Sequence, residues 1–588
     1  MKWFSKFPLF ILSPITTKPL LFCILVLLQT LPGWLYCLMA YKDYPPIRMT
    51  AWLIFMTALP FLLSWIVCRI NRKFVTIIVL TIGVIFFAIN LFLILNFTSM
   101  ISPWILLLCH ETNSTESAEF ISKYIITRKS IFCYLTVFLA VIAVIAAVKS
   151  RYKIKVISPV FITIITLICL ITGIIQLVLV GQIVRCKTQF ELQNWYEGKA
   201  FYCIENTFSN LFYSSYHLYV TSKENNKTIA VCQKAWNTKA YCSNNDSIDL
   251  VVIIGESFSK HHASLYNYQL NTTPHLVKEK ENGNLFAFND VITPYNMTTL
   301  AVKNILSTNS ISLGQYWTDY PPFTIIFHKA GYDVAMWDNQ KATGNVTFHD
   351  FSISSYLYSN QMIALAYNHI NNDIYDYDMQ LICNTINTKR NNKHTLTIYH
   401  LLGQHAQAKW RYPDTQENNI FSEKDINRPD LNKEKKDAIA EYDNATRYND
   451  LVVLKIFDYY RHRCAVVVYL SDHGEEVYDY RDVIGRTHEP EKNKMTLKYQ
   501  YQIPFMIWCS NNYKQQYPEL ITSLEKAVNR PFTSDNLSHL LFTLGFVKSP
   551  YYNRKKDILN NQYQCGKRRV QDHTDYDMII SSAPASSE

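Results

Sequence analysis

A few side chains in this sequence could do chemistry together. Asp472 and His473 stand side by side in Tyr469-Leu470-Ser471-Asp472-His473-Gly474-Glu475, after the apolar run Cys464-Ala465-Val466-Val467-Val468. That run is too short for a helix and rich in β-branched residues, the pattern of a strand buried on both faces. Leu250-Val251-Val252-Ile253-Ile254-Gly255-Glu256-Ser257 repeats the pattern and ends in a second carboxylate. His405 follows a third apolar run, Thr395-Leu396-Thr397-Ile398-Tyr399, and His488 lies in the loop after His473. In open α/β sheets the ligand crevice lies outside the carboxyl ends of the strands. Two carboxylates and three imidazoles at one such rim could hold one or two divalent metals. The competing reading makes Asp472 a helix N-cap and each His an ordinary hydrogen-bonded side chain. Five such residues, all at strand ends, weigh against it.

A nucleophile is available in Tyr295-Asn296-Met297-Thr298-Thr299-Leu300-Ala301-Val302-Lys303-Asn304-Ile305-Leu306-Ser307. Val302, Ile305 and Leu306 form an apolar stripe at helical spacing, so Thr298 and Thr299 lie at a helix N-terminus. Threonine there could simply cap the helix. The same position favours negative charge through the helix dipole, and a hydroxyl bound to a zinc ion would ionise near neutral pH.

The elements that must position these groups alternate. Further apolar runs at Val334-Ala335-Met336-Trp337 and Ile503-Pro504-Phe505-Met506-Ile507-Trp508 are separated by helical stretches such as 434–461. Alternating strands and helices predict an α/β domain whose mainly parallel sheet is covered on both faces. Pro504 fits only near the start of its strand or at an edge.

The chain has 588 residues, 49% of them hydrophobic, and the apolar ones crowd the first third. Five apolar segments, at 19–40, 51–69, 74–96, 131–149 and 156–184, uncharged apart from Arg69 and Lys149 at the ends of the second and fourth, reach or approach the ~20 residues needed to cross a bilayer. Lys2, Lys6 and Lys18 precede the first. Arg69, Arg72 and Lys73 follow the second, and Lys149, Arg151, Lys153 and Lys155 follow the fourth. These clusters share one side if all five segments span. The positive-inside rule then places the N-terminus in the cytoplasm and everything after Val184 outside. The net charge of +10 is therefore topological, and no basic recognition helix points to nucleic acid. The expected organisation is a transmembrane domain at 1–185, an aromatic-rich bridging segment of short helices near the bilayer at 186–245, and a soluble domain at 246–588. Of the fourteen cysteines, Cys186–Cys203 and Cys232–Cys242 are the pairs that proximity favours in an oxidising compartment. Cys464 and Cys509 border core-like strands and read as buried thiols.

The pattern resembles the membrane phosphoethanolamine transferases of the alkaline phosphatase/sulfatase superfamily. The resemblance covers nearly the whole chain. It rests on Ile254-Gly255-Glu256-Ser257 with Ser264-Leu265-Tyr266-Asn267-Tyr268 and Thr272-Thr273-Pro274; on Trp337-Asp338-Asn339-Gln340; on Gly403-Gln404-His405 with Arg411-Tyr412-Pro413; and on Leu470-Ser471-Asp472-His473-Gly474-Glu475. It implies an alkaline-phosphatase-like soluble domain in the periplasm, behind five helices in a bacterial inner membrane. It implies zinc held by Glu256, Asp472, His473 and a nucleophilic Thr, Thr298 by register with Val302, Leu306 and Ser307, or else Thr299. His405 and His488 match residues that bind the phosphoryl group or a second zinc. Asn339 is the better substrate contact, because Lys341 is off register. The implied reaction moves phosphoethanolamine from phosphatidylethanolamine to lipid A or the lipopolysaccharide core through a covalent threonine intermediate, in a monomer. The chain lacks the cysteines that flank the threonine in some members. It also lacks the C/S-x-P-x-R motif that a sulfatase needs for its modified nucleophile. The rival readings are a manganese-dependent phosphoglycerol transferase of the lipoteichoic-acid-synthase type and a non-catalytic membrane protein.

Overall fold

Alternate residues of strand β1 (Ile248–Gly255) enter two different apolar cores. Leu250, Val252 and Ile254 pack on one face of the sheet, and Val251 and Ile253 on the other. A strand with no polar face must lie between two layers of helices, which is why its sequence is an unbroken apolar run. The structure is a computed structural model and describes residues 2–40, 45–97, 99–103, 105–106, 125, 127–196, 204, 206–341, 348–390, 392–486, 494–571 and 574–582. The chain divides into two compact units, Met1–Lys223 with Gly344–Phe351, and Glu224–Thr343 with Ser352–Glu588.

The second unit is built on a seven-stranded sheet. Its other strands are β2 (Leu285–Ala287), β3 (Asp333–Asp338), β4 (His369–Ile370), β5 (His394–His400), β6 (Ala465–Ser471) and β7 (Phe505–Cys509), in the order β2-β7-β6-β1-β5-β3-β4. The five strands from β6 to β4 run parallel; β7 runs antiparallel to both of its neighbours, β6 and β2, so β2 points the same way as the five. The expected α/β architecture and every strand named from sequence are present. Pro504 falls just before β7, where its missing N–H removes no ladder bond. The stretch 434–461 is the helix Lys433–Tyr460, capped by the Asn432 side chain.

In the first unit, five helices among the described residues are long and apolar enough to cross a membrane. They are Pro19–Met39, Pro46–Ile70, Lys73–Phe97, Arg128–Lys149 and Pro159–Arg185, and each expected span falls on one of them. A further helix, Lys2–Thr17, precedes them. The second candidate span is broken at Thr57, between Pro46–Met56 and Ala58–Ile70. In hydrocarbon a broken helix exposes backbone groups that only protein can satisfy. The fully buried Gln176 of the fifth helix does so, accepting from Leu59 N at 2.8 Å and donating to Phe55 O at 2.5 Å. Nearby Gly173 lies so close that a Cβ there would sit 2.5 Å from Ala58 O, the small-residue contact typical of membrane helices. Lys18 Nζ donates to Asn71 Oδ1, Arg69 to Ser13 Oγ at 3.1 Å and Ile154 N to Thr16 O at 3.0 Å. The three basic stretches thus meet at one end of this helix bundle, as the charge pattern requires.

Two expectations are corrected. The segment 186–245 is not a string of short helices, because Thr207–Trp236 forms one 30-residue helix. No Gly or Pro interrupts it. Beyond it, Tyr241–Cys242 pairs with Val547–Lys548. Cys232 and Cys242 are both free thiols: Cys232 is buried in the core, and Cys242 Sγ faces the carbonyls of Asn244 and Gly545. Cys203 lies outside the described residues. Cys509 is buried as expected, and Cys464 is partly exposed.

Candidate metal centre and nucleophile

Glu256 and Asp472 arrive together because β1 and β6 are parallel neighbours in register. Gly255 pairs with Ser471, so the next residue of each strand emerges at the same rim. Asp472 N still donates to Gly255 O at 2.9 Å, which carries the ladder one step further. The chain then turns at Ser257 with φ 57°, a left-handed conformation that costs a non-glycine residue about 1 kcal/mol or more. Ser257 N donates to Asp472 Oδ1 at 3.1 Å and the Tyr442 hydroxyl donates to Ser257 O at 2.5 Å, so both sides of the turn are held.

His473 N donates to the same Asp472 Oδ1 at 2.7 Å. The other oxygen, Oδ2, is buried, accepts no hydrogen bond among the described residues, and lies 3.0 Å from His473 Nε2. Glu256, Asp472 and His473 are fully buried, and their ligand atoms lie within 4.8 Å of one another. Thr298 is the first residue of the helix Thr298–Leu306, and no side chain caps that helix. Its hydroxyl is instead spent on the cluster, donating to Glu256 Oε2 at 3.1 Å and meeting His473 Nε2 at 3.1 Å. Thr299 is not brought there: its hydroxyl is buried with no hydrogen-bond partner among the described residues. Three oxygens and one imidazole nitrogen converging in a dry pocket, one carboxylate oxygen unsatisfied, suit a tetrahedral divalent cation. The residues present therefore fit zinc.

The electrostatics agree with that fit. Burial and the neighbouring Glu256 push the Asp472 carboxyl up. Burial would raise Glu256 as well, but His473, His405 and Arg486 hold it well below the usual carboxylate range. Burial and Arg486 pull the His473 imidazole down, Asp472 and Glu256 pull it up, and the balance lies at about 9. Two buried carboxylates thus share the His473 imidazole and the Arg486 guanidinium, so the ionisation of each group depends on the others.

His405 is half-buried and shares this charge cluster: burial lowers its pKa, and Glu256, Arg486, Arg411 and His473 act on it. His488 lies outside the described residues. Asn339 is buried and already engaged, donating to Asp378 Oδ1 at 2.9 Å and accepting from Tyr375 N at 2.7 Å. Its neighbour Gln340 is the residue that reaches the site, with Nε2 3.2 Å from Glu256 Oε2. Lys341 donates to Asn371 O at 3.2 Å. Arg486, also not singled out from sequence, contacts both ring nitrogens of His473. The Trp-Asp-Asn-Gln motif was the available signal for Gln340, and nothing in sequence marks Arg486.

Gly403 ties the His405 loop to Glu256. It has φ 51°, and a Cβ on it would lie 2.6 Å from Glu256 O and 2.8 Å from Glu256 N. Gly403→Ala is expected to destabilise the protein by about 1–3 kcal/mol and to weaken metal binding, because the backbone of a ligand must move. Thermal unfolding with and without zinc checks both effects. Unchanged metal affinity would show that the loop yields instead of Glu256.

A family profile described as Sulfatase matches residues 248–545. Phosphoethanolamine transferase EptC of Escherichia coli (strain K12) is 29% identical over 332 residues, 55% of this chain and 55% of that protein. Phosphoethanolamine transferase CptA of Salmonella typhimurium is 25% identical over 324 residues, 54% of each. The chain thus spans about half the length of the curated relatives it matches. The crystal structure of the C-terminal periplasmic domain of EcEptC from Escherichia coli aligns with a TM-score of 0.50 at 26% identity, covering 58% of this chain and 96% of that domain. The chain therefore belongs to the sulfatase family, and the relatives it matches there are phosphoethanolamine transferases.

Proposed function

We propose that the protein transfers phosphoethanolamine from phosphatidylethanolamine to a lipid A or lipopolysaccharide-core acceptor, with Thr298 as the covalent carrier. The observation that carries this reading is the Thr298 hydroxyl, uncapped at a helix N-terminus and 3.1 Å from both Glu256 Oε2 and His473 Nε2. Thr298 Oγ attacks the phosphorus of the donor lipid, the bond to the diacylglycerol oxygen breaks, and diacylglycerol leaves with a proton. A phosphoethanolamine ester of Thr298 remains. An acceptor oxygen then attacks the same phosphorus and releases the threonine, so one displacement becomes two. Glu256 receives the Thr298 hydrogen bond and orients Oγ. Gln340 holds Glu256 by donating to it at 3.2 Å and to Leu401 O at 2.6 Å. His405, whose neutral form burial favours, can exchange a proton with the leaving or entering oxygen. Zinc held by Glu256, Asp472, His473 and Thr298 would supply Lewis acidity and lower the pKa of the hydroxyl.

In this reading residues 1–185 anchor a monomer in a bacterial inner membrane, 186–245 bridge to the periplasm, and 246–588 carry the catalytic domain. Both substrates are lipids, so anchoring confines enzyme, donor and acceptor to one surface. His488 completes the phosphoryl or second-metal site. Lipid profiling with and without the protein is expected to reveal a phosphoethanolamine mass increment on the acceptor. Absence of the increment when the protein is produced with its acceptor lipid would overturn the reading. Chelation of the purified protein is expected to abolish transfer and lower the Tm by several degrees, and zinc is expected to restore both more fully than manganese.

A further inference from the structure

The row of the sheet just beneath the metal ligands is not wholly apolar. Leu470, Ile254, His400 and Asp338 are paired in register across the adjacent parallel strands β6, β1, β5 and β3. Asp472 and Glu256 lie two residues beyond Leu470 and Ile254 and so face the same side. Leu470 and Ile254 enter the apolar core. His400 and Asp338 are fully buried and bond to each other instead, with Nδ1 2.9 Å from Asp338 Oδ1. Two apolar side chains of that volume often serve stability as well as such a pair, or better.

Asp338 is fixed through both its carboxylate and its backbone. Oδ1 also accepts from Gln340 N at 2.7 Å, and Oδ2 accepts from the Tyr358 hydroxyl at 2.5 Å. The backbone N and O both bond the Asn371 carboxamide, each at 2.8 Å. Gln340 Nε2 then spans Glu256 Oε2 at 3.2 Å and Leu401 O at 2.6 Å, and Leu401 is the residue after His400. These bonds close a ring from His400 through Asp338 and Gln340 back to Leu401, and Glu256 hangs from it. His400 enters the ring by Nδ1 alone, since Nε2 is buried with no hydrogen-bond partner among the described residues. We propose that His400 and Asp338 are positioning residues of the metal centre. They hold Gln340, and through it Glu256, in the arrangement that binds the cation. This rests on the zinc reading of the site and not on the reaction performed there.

The test uses the full chain in detergent and reads zinc affinity by competition with a chelator, alongside the Tm in chelator alone. Asparagine places its amide nitrogen near the position of Nδ1, and glutamine near that of Nε2. His400→Asn is therefore expected to bind zinc within about threefold of the parent, and His400→Gln ~10–100-fold more weakly. Gln340→Ala is expected to lose zinc affinity to a similar degree. Because His400 acts through Gln340, the double variant His400→Gln with Gln340→Ala should bind zinc within about threefold of Gln340→Ala alone. A merely structural pair would lower the Tm in chelator, and its effect on zinc would multiply with that of Gln340→Ala. If His400→Gln does not fold, Tyr358→Phe takes its place in the cycle, with an expected loss of ~3–10-fold, because it deletes one hydrogen bond to Asp338 and keeps the ring. Equal zinc loss in His400→Asn and His400→Gln, zinc affinity within about twofold of the parent in the variant used for the cycle, or losses that multiply in the double variant would each overturn the assignment. The expected zinc pattern in a protein making no phosphoethanolamine-lipid product would instead overturn the transferase reading and leave this one standing.

Discussion

Thr298→Ala is expected to lose phosphoethanolamine transfer by at least ~10³-fold and to accumulate no covalent adduct, while Thr299→Ala stays within about threefold of the parent. The two threonines are adjacent, share a helix terminus and look alike in sequence, so the contrast is a sharp one. Thr298 Oγ1 lies 3.1 Å from Glu256 Oε2 and from His473 Nε2. Thr299 Oγ1 is buried with no hydrogen-bond partner among the described residues, so its removal deletes an unsatisfied polar group and one buried methyl but no contact to the cluster. Thr298→Ser keeps the hydroxyl but loses the methyl group that restricts χ1, and is expected to retain activity within ~10–100-fold. Mass spectrometry of protein trapped with donor lipid in the absence of acceptor reads the adduct directly. An adduct persisting in Thr298→Ala would move the nucleophile elsewhere.

What could be read from sequence follows the division between strands and loops. β1 and β6 announce themselves by apolar runs, and the residues that leave them, Glu256 and Asp472-His473, inherit their positions from the ladder. The helix end that holds Thr298 and Thr299 was legible for a related reason: the stripe Val302, Ile305, Leu306 sets the helix phase and so locates the N-terminus, while the preference for Thr298 came from the family resemblance. Gln340 was marked only as a member of the Trp-Asp-Asn-Gln motif, without its contact, and Arg486 was not marked at all. Gln340 reaches Glu256 because β3 and β1 flank β5 in the sheet order, and strand order is not written in any local pattern. Arg486 depends on a hairpin of two-residue strands and one glycine φ, which no periodicity reports. Asn339, favoured over Lys341 on motif register, has its carboxamide engaged with Asp378 and Tyr375. The thirty-residue helix at Thr207–Trp236 was missed because its aromatics read as an interfacial cluster, while the absence of Gly and Pro was the more telling feature.

Asp472→Asn is expected to have opposite effects on the metal-free and the zinc-loaded protein. In the metal-free protein Asp472 and Glu256 are both fully buried, and burial together with the Glu256 charge pushes the Asp472 carboxyl up. An acid whose folded pKa is raised weakens the fold as pH climbs through and beyond its ordinary value, because the ionised form is the disfavoured one. The asparagine carbonyl can still accept from Ser257 N and His473 N, as Asp472 Oδ1 does at 3.1 and 2.7 Å. Its amide can take the place of Oδ2 and donate toward Glu256, replacing repulsion with a hydrogen bond. The metal-free variant is therefore expected to melt higher than the parent at pH 7. The same change removes an anionic ligand, so zinc affinity should fall by at least ~10²-fold, and transfer with it. A cation present at a thousand times its Kd stabilises by about 4 kcal/mol, so the order of Tm values reverses on adding zinc. Paired melting curves in chelator and in zinc read both signs. If the asparagine variant melts lower in both, the carboxylate pair is a structural ion cluster and the metal centre lies elsewhere.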